Sequence, residues 1–96
     1  MNKEEAIKIM NKEGLEGYNF FEDRLNKENE VVITTNNNQW SVFVTDERAS
    51  KIINSEDIYV SESEALEDFI ERLRADKILR ELWFQINSLV KTTPKY

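Results

Sequence analysis

Apolar residues recur at helical spacing at both ends of this chain and alternate with polar ones in its middle. At the start, Asn2 and Glu5 have capping-box character, Ala6, Ile7, Ile9 and Met10 form one stripe, and Gly14 offers a left-handed stop over which Leu15 folds. The pattern predicts a helix over residues 3–13. Residues 18–23 are aromatic-rich and read as a strand, followed by a polar connection. Residues 30–35, with Val31, Val32 and Ile33, give a second strand. Asn36, Asn37 and Asn38 form a turn, since Asn tolerates positive φ. Residues 39–45 alternate cleanly, Trp40, Val42 and Val44 on one face, Ser41, Phe43 and Thr45 on the other. The three strands predict an antiparallel meander, and residues 51–53 and 58–60 offer one further short edge strand.

A second capping box, Ser61 with Glu64, opens the last helix, with Val60 placed to staple onto Ala65. Phe69, Ile70 and Leu73 fall within about 60° of Leu66 and define with it a core face. Beyond them the phase changes. Ala75, Ile78, Leu79, Leu82, Trp83, Ile86, Leu89 and Val90 centre roughly 190° away on a 3.6-residue count. One straight helix cannot turn both stripes to one core. The preferred reading is a break near Ala75 and Asp76, with Asp76 capping a helix over 77–91 that folds back after a helix over 62–75. Without a break, the second stripe faces another chain and predicts a homodimer. The expected fold is therefore α+β: an antiparallel sheet of three to four strands, with an N-terminal helix and a long or broken C-terminal helix on one face. Residues 1–96 read as a single domain.

Composition narrows the chemistry. The chain has 96 residues, with two Gly, one Pro and neither Cys nor His. The usual acid–base group, nucleophile pairs and zinc ligand sets are therefore missing. There is no phosphate-binding Gly loop and no calcium-loop pattern, so no cofactor or metal is expected and an enzyme is the weakest reading. No signal core or membrane span stands out, which predicts a cytoplasmic protein.

Charge changes the picture more. Of 19 acidic and 13 basic residues, seven acids and no base lie in residues 56–71, so the rest of the chain nearly balances. Glu64, Glu67, Asp68 and Glu71 share one helix face, opposite Leu66 and Leu73. Glu64/Asp68 and Glu67/Glu71 are like-charged i,i+4 pairs, a small cost that a sequence shaped for helix stability alone avoids. Such a patch attracts and orients a basic partner. Two acid-acid-Arg triplets, Glu22-Asp23-Arg24 and Asp46-Glu47-Arg48, end strands. The first reads as a solvated turn; Asp46, Glu47 and Arg48 are candidate secondary contacts. Trp83, on the second stripe, is a candidate interface anchor, whereas Trp40 reads as sheet core.

Residues 40–50, Trp-Ser-Val-Phe-Val-Thr-Asp-Glu-Arg-Ala-Ser, followed by Glu64-Ala65-Leu66 and by Phe69-Ile70 with Leu73, resemble a family of bacterial immunity proteins. These are small cytoplasmic antidotes encoded beside secreted polymorphic toxins. The resemblance runs from the first helix to about Lys77 and is most specific at Thr45-Asp46-Glu47-Arg48-Ala49. It implies an α+β fold and binding to one cognate toxin domain, and supplies no functional residues of its own. The combined expectation is an immunity protein whose acidic helix face covers a basic toxin surface, with no direct contact to nucleic acid or membrane, as monomer or as homodimer through the C-terminal helix. Alternatives are a phage- or mobile-element-encoded DNA mimic that inhibits a nucleic-acid-binding protein, and a homodimeric adaptor.

Overall fold

A computed structural model describes residues 1–92, with the side chains of residues 90–92 excepted. The order of elements is α1 (Lys3–Glu13), β1 (Tyr18–Phe20), β2 (Val31–Asn36), β3 (Gln39–Val44), a 3₁₀ turn (Ile53–Ser55), β4 (Asp57–Tyr59) and α2 (Glu62–Thr92). The strands form one sheet in the order β1-β2-β3-β4, mostly antiparallel. Helix α1 carries the full capping box, with Glu5 N donating to Asn2 Oδ1 at 2.9 Å. It ends at Gly14 in the left-handed region. The β2–β3 hairpin closes on Asn37 and Asn38, at φ 52° and 61°. Positive φ at both central residues is what a two-residue turn needs to match the strand twist.

Strand β1 corrects the expected meander: it pairs with β2 in parallel, Tyr18 opposite Val31 and Phe20 opposite Ile33. It is also shorter than expected. At Phe21 the backbone turns to φ 59°, and the Asn19 side chain accepts from Glu22 N at 2.7 Å, so the chain leaves the sheet there. Residues 21–30 then return along the sheet to start β2 in the same direction. Their path is pinned by Arg24, which donates to both carboxylate oxygens of Glu30 at 3.1 and 2.9 Å. Thr45 Oγ1 donates to Lys27 O at 2.7 Å and accepts from Glu30 N at 2.9 Å.

One core lies between the sheet and the helices. Ala6 and Met10 of α1, Val31, Ile33 and Val42 of the sheet, and Leu66, Phe69, Ile70 and Leu73 of α2 meet there. The four α2 residues are at most 1 % exposed, so the first half of the helix packs on the phase its sequence dictates. Val32 and Phe43, on the sheet's other face, are buried as well. Val60 does not staple the helix start; it is 78 % exposed.

The expected break near Ala75 and Asp76 does not occur: α2 is a single helix of 31 residues. Asp76 caps nothing and instead accepts from Arg80 Nε at 3.2 Å, one turn on. Asp68 with Arg72 and Lys77 with Glu81 make the same i,i+4 link on either side. The end of α1 splints the junction from outside. Arg74 holds both oxygens of Glu13 at 2.8 and 2.6 Å, Lys77 Nζ donates to the Glu13 carbonyl, and Arg80 reaches the Glu16 carbonyl at 3.3 Å. With no Gly or Pro in the helix, nothing competes with this bracing.

A continuous α2 is about 46 Å long at 1.5 Å per residue. No described residue after Leu73 is buried. The molecule is consequently elongated, 60 × 29 × 21 Å with a radius of gyration of 15.7 Å. A compact chain of this length has about 13 Å.

Candidate partner-binding site

Seven acids crowd residues 56–71, but the fold pairs off most of them. Glu56 accepts from Lys51 Nζ at 2.6 Å and from the Ser41 hydroxyl, and these two hydrogen bonds hold its carboxyl below the usual range. Arg72 is a hub. It grips Asp68 at 2.9 and 3.1 Å, Asp57 at 2.9 Å and the Ser55 carbonyl at 2.8 Å, tying α2 to β4 and the turn before it. Asp68 also accepts from Tyr59 Oη at 2.7 Å, a bond that raises the Tyr59 phenol to about 12, with burial adding to the shift. Glu62 lies 3.9 Å from Lys3.

What remains is Glu64, Glu67 and Glu71. All three are exposed, and none has a hydrogen bond or ion pair from its carboxylate among the described residues. They lie on the outer side of α2, away from the sheet, since Leu66, Phe69 and Leu73 occupy the inner side. Asp68 shares their helix face, but it is half-buried and held by Tyr59 and Arg72.

Because α2 runs on unbroken, the same outer face continues through Ala75 to Ile78, Leu79, Leu82, Ile86 and Leu89. Ile78, Leu79, Leu82 and Ile86 are 46–64 % exposed. Trp83 flanks this stripe and is 64 % exposed, so it is no part of the core. Trp40 faces the core side of the sheet and packs at its margin, while its indole N–H finds no partner among the described residues.

The second candidate group divides. Asp46 is spent on its own loop, where Oδ1 accepts from Arg48 N at 2.8 Å and Ser50 N at 3.0 Å, allowing Ala49 to sit at φ 64°. Glu47 and Arg48 are exposed at the tip. No hydrogen bond or ion pair among the described residues joins this loop to Glu64, Glu67 or Glu71. In the first triplet Glu22 and Asp23 are exposed, as in a solvated turn, but the third member turns inward. Arg24 is an internal anchor, and its partner Glu30 is 3 % exposed. Burial alone would push the Glu30 carboxyl up, but hydrogen bonds from Arg24 and from Lys27 N outweigh it and hold it low. Sequence reasoning missed Glu30, whose one signal was a lone acid at the head of an apolar strand.

Among the described residues no group of three or more metal-ligating side chains assembles, and no helix is long and apolar enough to cross a membrane. A family model that matches nearly the whole chain places it with the immunity proteins, which implies a toxin partner; such proteins are not normally enzymes. Specifically, the chain belongs to the Immunity protein 59 family, whose model matches residues 1–89. That match extends past Lys77, where the sequence resemblance stops, and takes in the exposed stripe to Leu89. No curated protein and no solved structure matches the chain.

Proposed function

We propose that this protein neutralises one cognate secreted toxin in the cytoplasm by laying the outer face of α2 on a basic surface of that toxin. The observation that carries the reading is the selective lack, among the described residues, of hydrogen bonds and ion pairs at the carboxylates of Glu64, Glu67 and Glu71. In a segment where Glu56, Asp57 and Asp68 are matched to Lys51 and Arg72, three neighbouring carboxylates stay free on one exposed face. Glu47 and Arg48 are further contacts at the margins, and Trp83 stands farther along the helix, on the stripe beyond the acids. Asp46 and Asp68 serve indirectly, by fixing the loop tip and the helix beneath them. The pairing of the other acids also weakens the DNA-mimic alternative, because too few free carboxylates remain to imitate a run of phosphates.

Exposed charge of this kind governs encounter more than lifetime. Changing Glu64, Glu67 and Glu71 together to Gln should lower the association rate with the toxin about tenfold or more at low salt, and flatten its salt dependence. Stopped-flow binding across a salt series measures both. An unchanged rate and slope would remove this face from the interface.

A further inference from the structure

Four turns of α2 stand clear of the sheet, and their sequence is not that of a solvated helix. From Leu82 to Val90 there is no charged residue, and Ile78, Leu79, Leu82, Trp83, Phe84, Ile86 and Leu89 are each 46–74 % exposed. All but Phe84 lie within about 100° of Leu82 on a helical count. Together these six present on the order of 600–700 Å² of apolar surface, near the roughly 800 Å² per partner of a standard interface and beyond what a monomer ordinarily leaves in water.

The spacing says what kind of surface covers it. Ala75, Leu79, Leu82, Ile86 and Leu89 step by four, three, four and three residues. That is the seam of a two-helix coiled coil, with Leu79 and Ile86 at one core position and Ala75, Leu82 and Leu89 at the other. A seam of this type is complementary to itself. We propose that the projecting half of α2 pairs antiparallel with the same segment of a second copy of this chain.

Charge selects the orientation. A parallel pair sets Glu64, Glu67 and Glu71 of the two copies side by side, like charge beside like. The antiparallel pair sends them to opposite ends. The register that pairs every large seam residue puts Leu79 opposite Leu89 and Leu82 opposite Ile86 of the second copy. The sheet lies on the far side of α2 from the seam, so the two bodies do not collide. In this dimer the two carboxylate faces lie about 50 Å apart along the axis, at 1.5 Å per residue, and the overlap of the two helices leaves each open.

The test needs no toxin, so its outcome is separate from that of the proposed function. Light scattering of the purified full chain should give twice the chain mass at high concentration, falling towards the single-chain mass on dilution. Leu82→Glu and, separately, Ile86→Lys should give the single-chain mass with the far-ultraviolet signal of the sheet and α1 retained. Because the chain has no Cys, orientation can be read with single thiols. Leu79→Cys mixed with Leu89→Cys should oxidise to a mixed disulfide, while Leu79→Cys alone should stay unlinked. A wild-type chain of single mass at its highest soluble concentration would overturn the proposal, and leave the stripe to the toxin. So would a dimer indifferent to both charge substitutions, or one in which Leu79→Cys links to itself.

Discussion

Individual side chains in this protein are divided between those that hold it together and those left facing water, and ionisation separates the two groups. Glu30 is the clearest of the first kind. Its carboxylate is buried against Arg24, so Glu30→Ala strands a guanidinium that is only 24 % exposed. We expect a loss of about 2–3 kcal/mol in chemical denaturation, at the low end for a broken buried pair because Arg24 keeps some solvent. Glu22→Ala, which touches the same Arg24 from an exposed position, should stay within about 0.5 kcal/mol. The sign with pH follows. Glu30, Glu13 and Glu56 are all held below their ordinary 4.5, so their contributions are complete above that value and disappear as pH falls through the lowered ones. Denaturation midpoints across an acid series should fall for the wild type and flatten for Glu30→Ala.

Tyr59 behaves in the opposite sense. Its phenol is raised to about 12, chiefly by donating to Asp68, so its contribution is complete below pH 10 and is lost as pH rises through 12. Phenolate absorbance should show one tyrosine titrating late, and Asp68→Ala should return it towards 10. A late tyrosine that survives this change would mean that Asp68 is not its acceptor, and would free Asp68 for the carboxylate face.

Among the elements, those set by neighbours in sequence were legible and those set by distant partners were not. The capping box of α1, the Asn37-Asn38 turn and the core phase of Leu66 to Leu73 are local, and the amino-acid pattern specifies them. The direction of β1 is decided by Arg24 and Thr45 reaching Glu30 and Lys27. No period along the chain carries that information. Continuity of α2 is decided likewise, by Glu13 and Glu16 carbonyls at the end of α1. For the candidate site, helical phase was enough to group Glu64, Glu67 and Glu71. It could not show that Tyr59, on a strand, withdraws Asp68 from them. The turn role of Asp46 was within reach, since an Asp ending a strand commonly bonds the backbone just after it.

Helix α2 yields in two parts. Its first half is fixed by the core, whereas a free helix of about 15 residues is marginal in water. Ala75→Pro removes one backbone hydrogen bond and forces the ring against the preceding turn. It should abolish roughly half of the helical circular dichroism of α2 while Leu66 to Leu73 stay packed. Near-ultraviolet dichroism in a Trp83→Phe background, where Trp40 and the contact of Tyr18 with Phe69 report the packed body, should stay as it is. Loss of both signals together would show instead that α2 folds as one cooperative unit with the sheet.

At the scale of the whole molecule, length replaces bulk. A chain this small buries a modest core, and this one places about half of its longest helix outside that core. The outcome is a body with a rod, acidic where the rod leaves the body and apolar along its free length. The proposed antiparallel pair turns two such rods into one bar with a carboxylate face towards each end, and one toxin on each face would make the assembly two to two.

Trp83 gives this architecture an optical consequence. The chain has two tryptophans, one packed at the margin of the sheet core and one standing in water on the rod. Their emission therefore comes from unlike surroundings, and only the rod's indole has far to shift when something covers it. The protein carries its own fluorescent reporter on the segment whose occupancy is in question, and Trp40→Phe would leave that reporter alone in the spectrum.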